Sequence, residues 1–192
     1  MKRFNLMLLV VAVIAVLGFN QKVEAKAEQV MEAIPYPSGT VNLAIVGYNY
    51  TRRYIADFSV DGNGGGNIMV STPSSGGGGT SCCEPYLPGL TDYKVKVRWQ
   101  ADACMFHTYS QGSKETNDNI HSFYKEIEVP VIEDFSTAPK YMEVHFYPDG
   151  KVAVTVTDSE SSPRLRLSDS RQDTSKFPRC PGDKKPKTQK VS

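Results

Sequence analysis

The placement of glycine between Gly47 and Cys83 constrains the fold of this chain more than any other sequence feature. Eight of the fifteen glycines lie between Gly62 and Gly79, in clusters that read NGGGN and SGGGG. Glycine adds no side chain to a core and loses more conformational freedom on folding than any other residue. Strand-like sequence, YIADFSV before the first cluster and NIMVS at its end, flanks these glycines. We therefore interpret the clusters as backbone positions that only glycine can occupy, and not as a linker.

The remainder of the chain is typical of β-structure, because no stretch keeps a helical period. Alternation is clearest in DYKVKVRWQA at 92–101, which places Trp99 on the apolar face of a half-buried strand. The sequence YMEVHFY-PDG-KVAVTVTD at 141–158 predicts a hairpin, with a turn at Asp149-Gly150. Further strands are predicted at 41–50, 54–60, 68–71 and 125–132. The predicted fold is all-β, an antiparallel β-sandwich or a small open barrel of six or seven strands.

Three segments are predicted along the chain. Residues 1–27 contain a basic start, an apolar run over Leu6–Phe19 and an A-x-A-like sequence at Ala25–Ala27, which together predict an export signal peptide. An uncleaved N-terminal membrane anchor is the alternative. Residues 28–160 are predicted to form the β-domain, and residues 161–192 a basic, flexible and disordered tail.

The charge of the chain is divided unevenly between the body and the tail. Residues 28–162 hold nine Lys and Arg against seventeen Asp and Glu, a balance of −8. Residues 163–192 hold nine against three, a balance of +6. This asymmetry favours a tail folded on its own body or two separate contact surfaces, and we expect a solvated tail. We expect weak contact of the tail with an anionic membrane surface and, because the protein is exported, no nucleic-acid binding.

The cysteines are Cys82, Cys83, Cys104 and Cys180. Export allows disulfides. A bond between adjacent cysteines would close a strained ring, so we expect Cys82 and Cys83 each to reach a distant partner, and Cys104 and Cys180 are the only candidates. The alternative is a metal site in which Cys104 acts with His107 and His121. Export favours disulfides over this site.

Catalytic motifs are not found in the sequence. Neither glycine cluster has the phosphate-binding pattern G-x-x-x-x-G-K-[ST], and no G-x-S-x-G sequence is present. His145 is expected on the solvent side of its strand, opposite Val144 and Phe146. Paired carboxylates such as Glu126 and Glu128 are interpreted as surface charges. We therefore expect no enzyme activity, no cofactor and no metal.

The segments YNYTRRYI, GNGGGN, SGGGGTSCC and EVHFYPDGKVAVTV, within residues 41–157, resemble a family of small exported proteobacterial proteins that share a domain of unknown function. This resemblance implies a periplasmic or cell-envelope location. Some members are encoded near type VI secretion phospholipase effectors, which implies an immunity or accessory role. The chain departs from the family in lacking a lipobox cysteine and in carrying a long basic tail.

These observations predict a non-enzymatic periplasmic domain that binds another protein, with a secreted lipase effector as the implied partner. Aromatic and arginine side chains beside exposed backbone suit such contacts. The candidate partner-binding residues are Tyr48, Tyr50, Arg52, Arg53, Tyr54, Gly64, Gly65 and Gly66. Two alternatives stay open. One is an exported metal-binding protein or enzyme, and the other is a structural protein of the cell envelope held by its N-terminal segment.

Overall fold

Eight β-strands form a closed barrel in the described part of the chain. The computed structural model describes residues 36–109, 112, 116–168, 170–171 and 176–187, so the predicted signal peptide lies outside it. The strands are β1 (Val41–Asn49), β2 (Ile55–Val60), β3 (Asn63–Ile68), β4 (Gly77–Tyr86), β5 (Lys94–Tyr109), β6 (Thr116–Asp134), β7 (Tyr141–Phe146) and β8 (Val152–Thr157). A 3-10 turn follows at Pro181–Asp183. Within these ranges, no helix has the length and apolar character needed to cross a bilayer.

The order of strands around the barrel is β1-β4-β3-β2-β5-β6-β8-β7, and β7 closes the ring on β1. The all-β prediction is confirmed, and the barrel form is closed where an open barrel or a sandwich was expected. Six of the neighbouring pairs are antiparallel, but β1 pairs with β7 and β6 pairs with β8 in parallel. Because the barrel is closed, its short strands have no free edge with which a strand of another chain could pair.

Alternate side chains of each strand fill the interior of the barrel. On β1 the inward residues include Leu43 and Ile45, and on β7 they include Met142, Val144 and Phe146. Trp99 belongs to the same buried cluster, as its strand pattern predicted, and its ring lies 5.7 Å from that of Phe146. The hairpin β7–β8 has the predicted turn, with Gly150 at φ +83°.

Both glycine clusters lie in strands of the barrel wall. The first forms most of β3, and the last three glycines of the second begin β4. In the pairing of β2 with β3, Phe58 faces Gly66 and Ser59 faces Gly64, which makes Gly65 the extra residue of a β-bulge. A Cβ atom on Gly65 would lie 2.0–2.4 Å from three ring carbons of Phe58, which is too close for any real contact. The interpretation of the glycines as shape-determining positions agrees with this packing.

The strands β5 and β6 are much longer than their sequence patterns predicted, and they pair from Lys94–Pro130 to Tyr109–Thr116. Their outer halves project beyond the short pairing of β5 with β2, which ends at Trp99. We call this projecting hairpin, residues 100–109 and 116–124, the β-arm. β6 begins at Thr116, within the polar stretch QGSKETNDN at 111–119.

The cysteine pairing differs from the prediction. Cys104 is bonded to Cys180, and Cys82 is bonded to Cys83. The expectation that each member of the adjacent pair reaches a distant cysteine is wrong, because β4 and the β-arm lie in different parts of the barrel wall. Cys104 and Cys180 are both buried, whereas Cys82 is exposed.

Part of the described tail contacts the barrel, where a solvated tail was expected. Arg164 donates from Nη2 to Oγ1 of Thr155 at 2.7 Å, and Arg171 donates to the carbonyl oxygen of Tyr50 at 2.8 Å. Arg179 pairs with Asp118 at 2.6 Å. Part of the basic charge of the tail is therefore directed at the acidic body. Residues 169, 172–175 and 188–192 of the predicted tail lie outside the described residues.

Candidate functional site

An open pocket of about 470 Å³ lies where the loop after β1 meets β5. The loop contributes Arg52, Arg53 and Tyr54, and β5 contributes Trp99 and Asp102. The other lining residues are Thr51, Ile55, Gln100, Ala101, Pro148 and Phe177. We call this cavity the arginine pocket. Three of the predicted partner-binding residues therefore line one cavity.

The floor of the arginine pocket is fixed by buried residues. Trp99 is 7% exposed and Ile55 is 3% exposed. Gln100 is also buried, and its side chain accepts the N–H of Ala56 at 2.6 Å and donates to Oγ of Ser122 at 3.1 Å. These contacts join the first residues of β2 to β6 across β5, so the floor has little freedom to move.

The rim of the arginine pocket carries the charge. Nη1 of Arg53 lies 2.7 Å from Oδ1 of Asp102, and the two side chains are 42% and 58% exposed. The guanidinium carbon of Arg53 lies 5.5 Å from the centre of the Phe177 ring, within the range of a cation–π contact. Tyr54 accepts a hydrogen bond from the Asn67 side chain at 2.9 Å, which orients its ring at the edge of the cavity. Among the described lining residues, the arginines outnumber the carboxylates by two to one.

The loop that supplies the arginines is held by a buried asparagine at the end of β1. The Asn49 side chain donates to the carbonyl oxygen of Arg53 at 2.6 Å and accepts from the N–H and hydroxyl of Thr51 at 3.0 and 2.6 Å. A short polar side chain that bonds the backbone in this way commonly stabilises a tight loop. The position of Arg53 is therefore set by the loop backbone and not by its own ion pair alone.

A second cluster of functional groups lies on the outer face of β1 and β7, and it is sealed. Tyr48, Tyr50, Glu143 and His145 project from this face and are all at most 2% exposed. The ring of His145 stacks on Tyr48 at 4.4 Å and faces Tyr50 at 5.8 Å. We call these four residues the tyrosine–histidine cluster.

Residues 159–168, which we call the strap, cover the tyrosine–histidine cluster. The N–H of Ser161 donates to Oε1 of Glu143 at 2.6 Å, and the hydroxyl of Tyr48 lies 2.6 Å from the carbonyl oxygen of Ser161. The N–H of Arg164 donates to the hydroxyl of Tyr50 at 2.8 Å. Each outward side chain of the cluster is therefore engaged by the backbone of the strap or by a neighbour within the cluster.

Protonation in the tyrosine–histidine cluster follows from burial. Burial lowers the pKa of His145, and nearby Arg164 lowers it further, against the opposing effect of Glu143. In a neutral ring, Nδ1 accepts the hydroxyl of Tyr50 at 2.9 Å and the hydrogen is on Nε2. Nε2 lies 3.4 Å from Oε2 of Glu143, and neither of these two buried atoms makes a hydrogen bond within the described residues. Burial favours the neutral form of Glu143, but His145 and Ser161 stabilise the carboxylate and hold its pKa below the usual value. Burial raises the pKa of both tyrosines, so neither supplies a phenolate near neutral pH.

The predicted binding residues therefore fall in three different places. Arg52, Arg53 and Tyr54 line the arginine pocket, and Tyr48 and Tyr50 lie beneath the strap. The third group, Gly64, Gly65 and Gly66, forms β3 and lines no part of the pocket. His145 does lie opposite Val144 and Phe146 on its strand, but it is buried and not solvent-exposed as expected.

Sequence reasoning missed the residues that the tail brings to these sites. Phe177 is an isolated aromatic residue in a basic segment. This contrast was the only feature of the sequence to suggest that the segment packs against the barrel. The burial of Glu143 and His145 had no sequence signal, because outward residues of a strand are ordinarily exposed.

The alternative metal site at Cys104, His107 and His121 does not form: Cys104 is oxidised, and His107 binds Asp118 and Asp183. No group of three or more His, Cys, Asp or Glu in the described ranges is placed to hold a metal ion.

Comparison with known proteins agrees with the position of the barrel in the chain. A family model described as a protein of unknown function (DUF3304) matches residues 48–154, which run from the end of β1 into β8. Neither the curated proteins nor the solved structures contain a match to the chain. The matched span includes Arg52, Arg53 and Trp99 of the arginine pocket and ends before the strap and Phe177. Because the match covers more than half of the sequence, the chain belongs to the DUF3304 family.

Proposed function

We propose that this protein is an exported, non-enzymatic binding domain that uses the arginine pocket to hold an acidic segment of a partner protein. One observation carries the proposal: two adjacent arginines and a tryptophan surround an open cavity on a body whose net charge is otherwise acidic. Tryptophan, tyrosine and arginine are the residue types that dominate the energy of protein interfaces. A partner carboxylate could bind the guanidinium groups at the rim, while an apolar neighbour fills the space above Trp99.

The sealing of the tyrosine–histidine cluster supports binding rather than catalysis. A general base must reach the proton that it abstracts directly or through one water molecule. His145 is fully buried, its Nδ1 is engaged by Tyr50, and the strap lies over the cluster. The cluster therefore serves to attach the strap to the barrel in this proposal. The arginine pocket is the site that faces solvent.

The resemblance to exported proteins encoded near type VI secretion phospholipase effectors names the first partner to test. We propose a periplasmic role as an immunity or accessory protein for such an effector. Weak contact of the basic tail with anionic lipid is a subsidiary proposal, and it rests on Lys184, Lys185 and Lys187 and not on the tail arginines that bind the barrel.

Binding of the purified chain to a type VI secretion phospholipase effector, measured by isothermal titration calorimetry, tests the proposal. We expect Arg53→Ala and Tyr54→Ala each to raise the Kd at least tenfold, which corresponds to about 1.4 kcal/mol. Lys96→Ala is the control, because Lys96 is also an exposed, ion-paired cation, 3.7 Å from Glu126, but does not line the pocket. Equal affinities for Arg53→Ala, Tyr54→Ala and the control would contradict the proposed site.

The sign of the charge in the partner is tested separately with Asp102→Asn. If an acidic group enters the arginine pocket, removal of the Asp102 charge releases Arg53 and tightens binding. If a basic group enters, the same substitution weakens binding. The amide of asparagine can still accept the N–H of Ala103, which Asp102 accepts at 2.9 Å, so the local backbone is preserved. A weaker complex would refute the acidic partner while leaving the location of the site intact.

A further inference from the structure

The arginine pocket has one wall that does not belong to the barrel. Phe177 lines the cavity from the C-terminal tail, 23 residues beyond the end of the family match at residue 154. Its ring lies against the guanidinium group of Arg53. Arg171, also in the tail, donates from Nη2 to the carbonyl oxygens of Tyr50 and Thr51, where the pocket loop begins. The tail therefore contacts the pocket loop at two places, at the Arg53 side chain and at the backbone where the loop begins.

Residues 176–183, which we call the tail clamp, attach Phe177 to the β-arm. The N–H of Met105 donates to the carbonyl oxygen of Pro178 at 2.8 Å, and the N–H of Cys180 donates to the carbonyl oxygen of Met105 at 2.8 Å. These bonds form an isolated parallel bridge between Arg179 and Met105 of β5. The disulfide between Cys104 and Cys180 lies beside them, three residues from Phe177, and is buried.

Charged side chains also join the tail clamp to the β-arm, but these pairs are exposed to solvent. Arg179 lies 2.6 Å from Asp118 and 3.6 Å from Asp183, and His107 lies 3.0 Å from Asp118 and also binds Asp183. The Arg179, Asp118 and Asp183 side chains are 41–50% exposed. Exposed pairs of this kind contribute little to stability. The covalent bond is therefore the contact that fixes the clamp, because it holds the tail even when the ion pairs are screened.

We propose that the Cys104–Cys180 disulfide completes the binding site by holding Phe177 as a wall of the arginine pocket. The site is then built from two parts, the barrel and a tail that oxidation attaches to it. Phe177 supplies the apolar surface that packs on the group inserted by the partner, and it keeps the Arg53 guanidinium turned toward the cavity. That role for the partner rests on the proposed function. The placement of the wall by the disulfide does not.

Trp99 provides a direct measurement of the wall. It is the single tryptophan of the chain and lies at the floor of the pocket, so its fluorescence reports the solvent access of this cavity. We expect the double variant Cys104→Ser/Cys180→Ser to shift Trp99 emission to longer wavelength and to raise its quenching by acrylamide. Phe177→Ala should do the same with the disulfide intact. Cys82→Ser/Cys83→Ser is the matched control, since it removes the other disulfide and should leave Trp99 unchanged.

The outcomes separate this inference from the proposed function. Unchanged quenching in Phe177→Ala would overturn the inference, because that variant keeps the clamp and alters only the wall. Equal changes in both double cysteine variants would overturn the specific role of Cys104–Cys180. Far-UV circular dichroism of each variant identifies any loss of the barrel. If quenching changes as expected but the wild-type chain binds no partner, the wall stands and the proposed function fails. If a partner binds, Phe177→Ala should raise its Kd about tenfold.

Discussion

The three glycines of NGGGN allow a test of whether packing and backbone conformation require glycine in this cluster. Each of them differs from the others in steric contact or in backbone φ. Gly64 has ordinary φ, and a Cβ built on it meets nothing within 4 Å. Gly65 also has ordinary φ, but its Cβ would overlap the ring of Phe58. Gly66 has open space but φ +80°. Alanine at these positions should therefore give three different results in one strand.

We expect Gly65→Ala to destabilise the barrel by about 1–3 kcal/mol, the usual cost of overpacking a core. Phe58 cannot move aside easily, since it is fully buried and its ring packs edge-on against Phe146 at 5.4 Å. Gly66→Ala should cost about 1–2 kcal/mol through its left-handed backbone. Gly64→Ala should be neutral, or stabilising by about 0.4–1 kcal/mol, because alanine restricts the unfolded chain without a clash.

Urea denaturation followed by far-UV circular dichroism measures these differences as shifts of the midpoint at constant m-value. For a domain of this size, each kcal/mol lowers Tm by about 2–4 °C. Phe58→Leu in the Gly65→Ala background should recover part of the loss, because the shorter side chain makes room for the new methyl group. Identical stabilities for Gly64→Ala and Gly65→Ala, or a double variant whose losses simply add, would refute the argument that ring contact requires this glycine.

Two buried carboxylates should give stability profiles of opposite sign with pH. Burial raises the pKa of Glu84 from 4.5 to about 7, although the Asn63 side chain donates a hydrogen bond to its carboxylate at 2.8 Å. The protonated carboxyl group therefore contributes fully to the free energy of unfolding below pH 4.5, and this contribution is lost as pH rises through 7. Glu84→Gln should match the wild type in urea midpoint at pH 4.5 and be more stable by about 3 kcal/mol at pH 8, and equal stabilities at pH 8 would contradict this. Glu143 has a lowered pKa, so its contribution is present above pH 4.5 and is lost as pH falls through the folded-state value. Glu143→Gln should lose about 2–4 kcal/mol at pH 7, measured in the same way, and an unchanged acid limb of its profile would show that the strap does not depend on this charge.

Much of the strand pattern followed from local sequence. The β7–β8 hairpin and the strand containing Trp99 were predictable because alternation and turn residues act over a few positions. The long β-arm was not, since β5 and β6 continue through polar and mixed sequence where pairing with each other replaces an apolar face. Closure was also hidden, because the parallel pairing of β1 with β7 joins residues about a hundred positions apart.

The candidate site shows the same division. Arg52, Arg53 and Tyr54 were predicted to make partner contacts because arginine and aromatic residues in a loop suggest a contact surface, and all three line one pocket. Tyr48 and Tyr50 stand close to them in sequence, yet a strand alternates its faces, and the outer face of β1 is covered by the strap. No local pattern indicates that a segment more than a hundred residues away will cover that face.

An all-β chain with glycines at tightly packed positions can be predicted from local sequence, because side-chain period and glycine geometry are local properties. Closure of the barrel, the pairing of Cys104 with Cys180 and the contribution of the tail to the arginine pocket are visible only in the folded chain. These features depend on which distant surfaces meet. That choice is made by the total burial of the folded chain and not by any one segment.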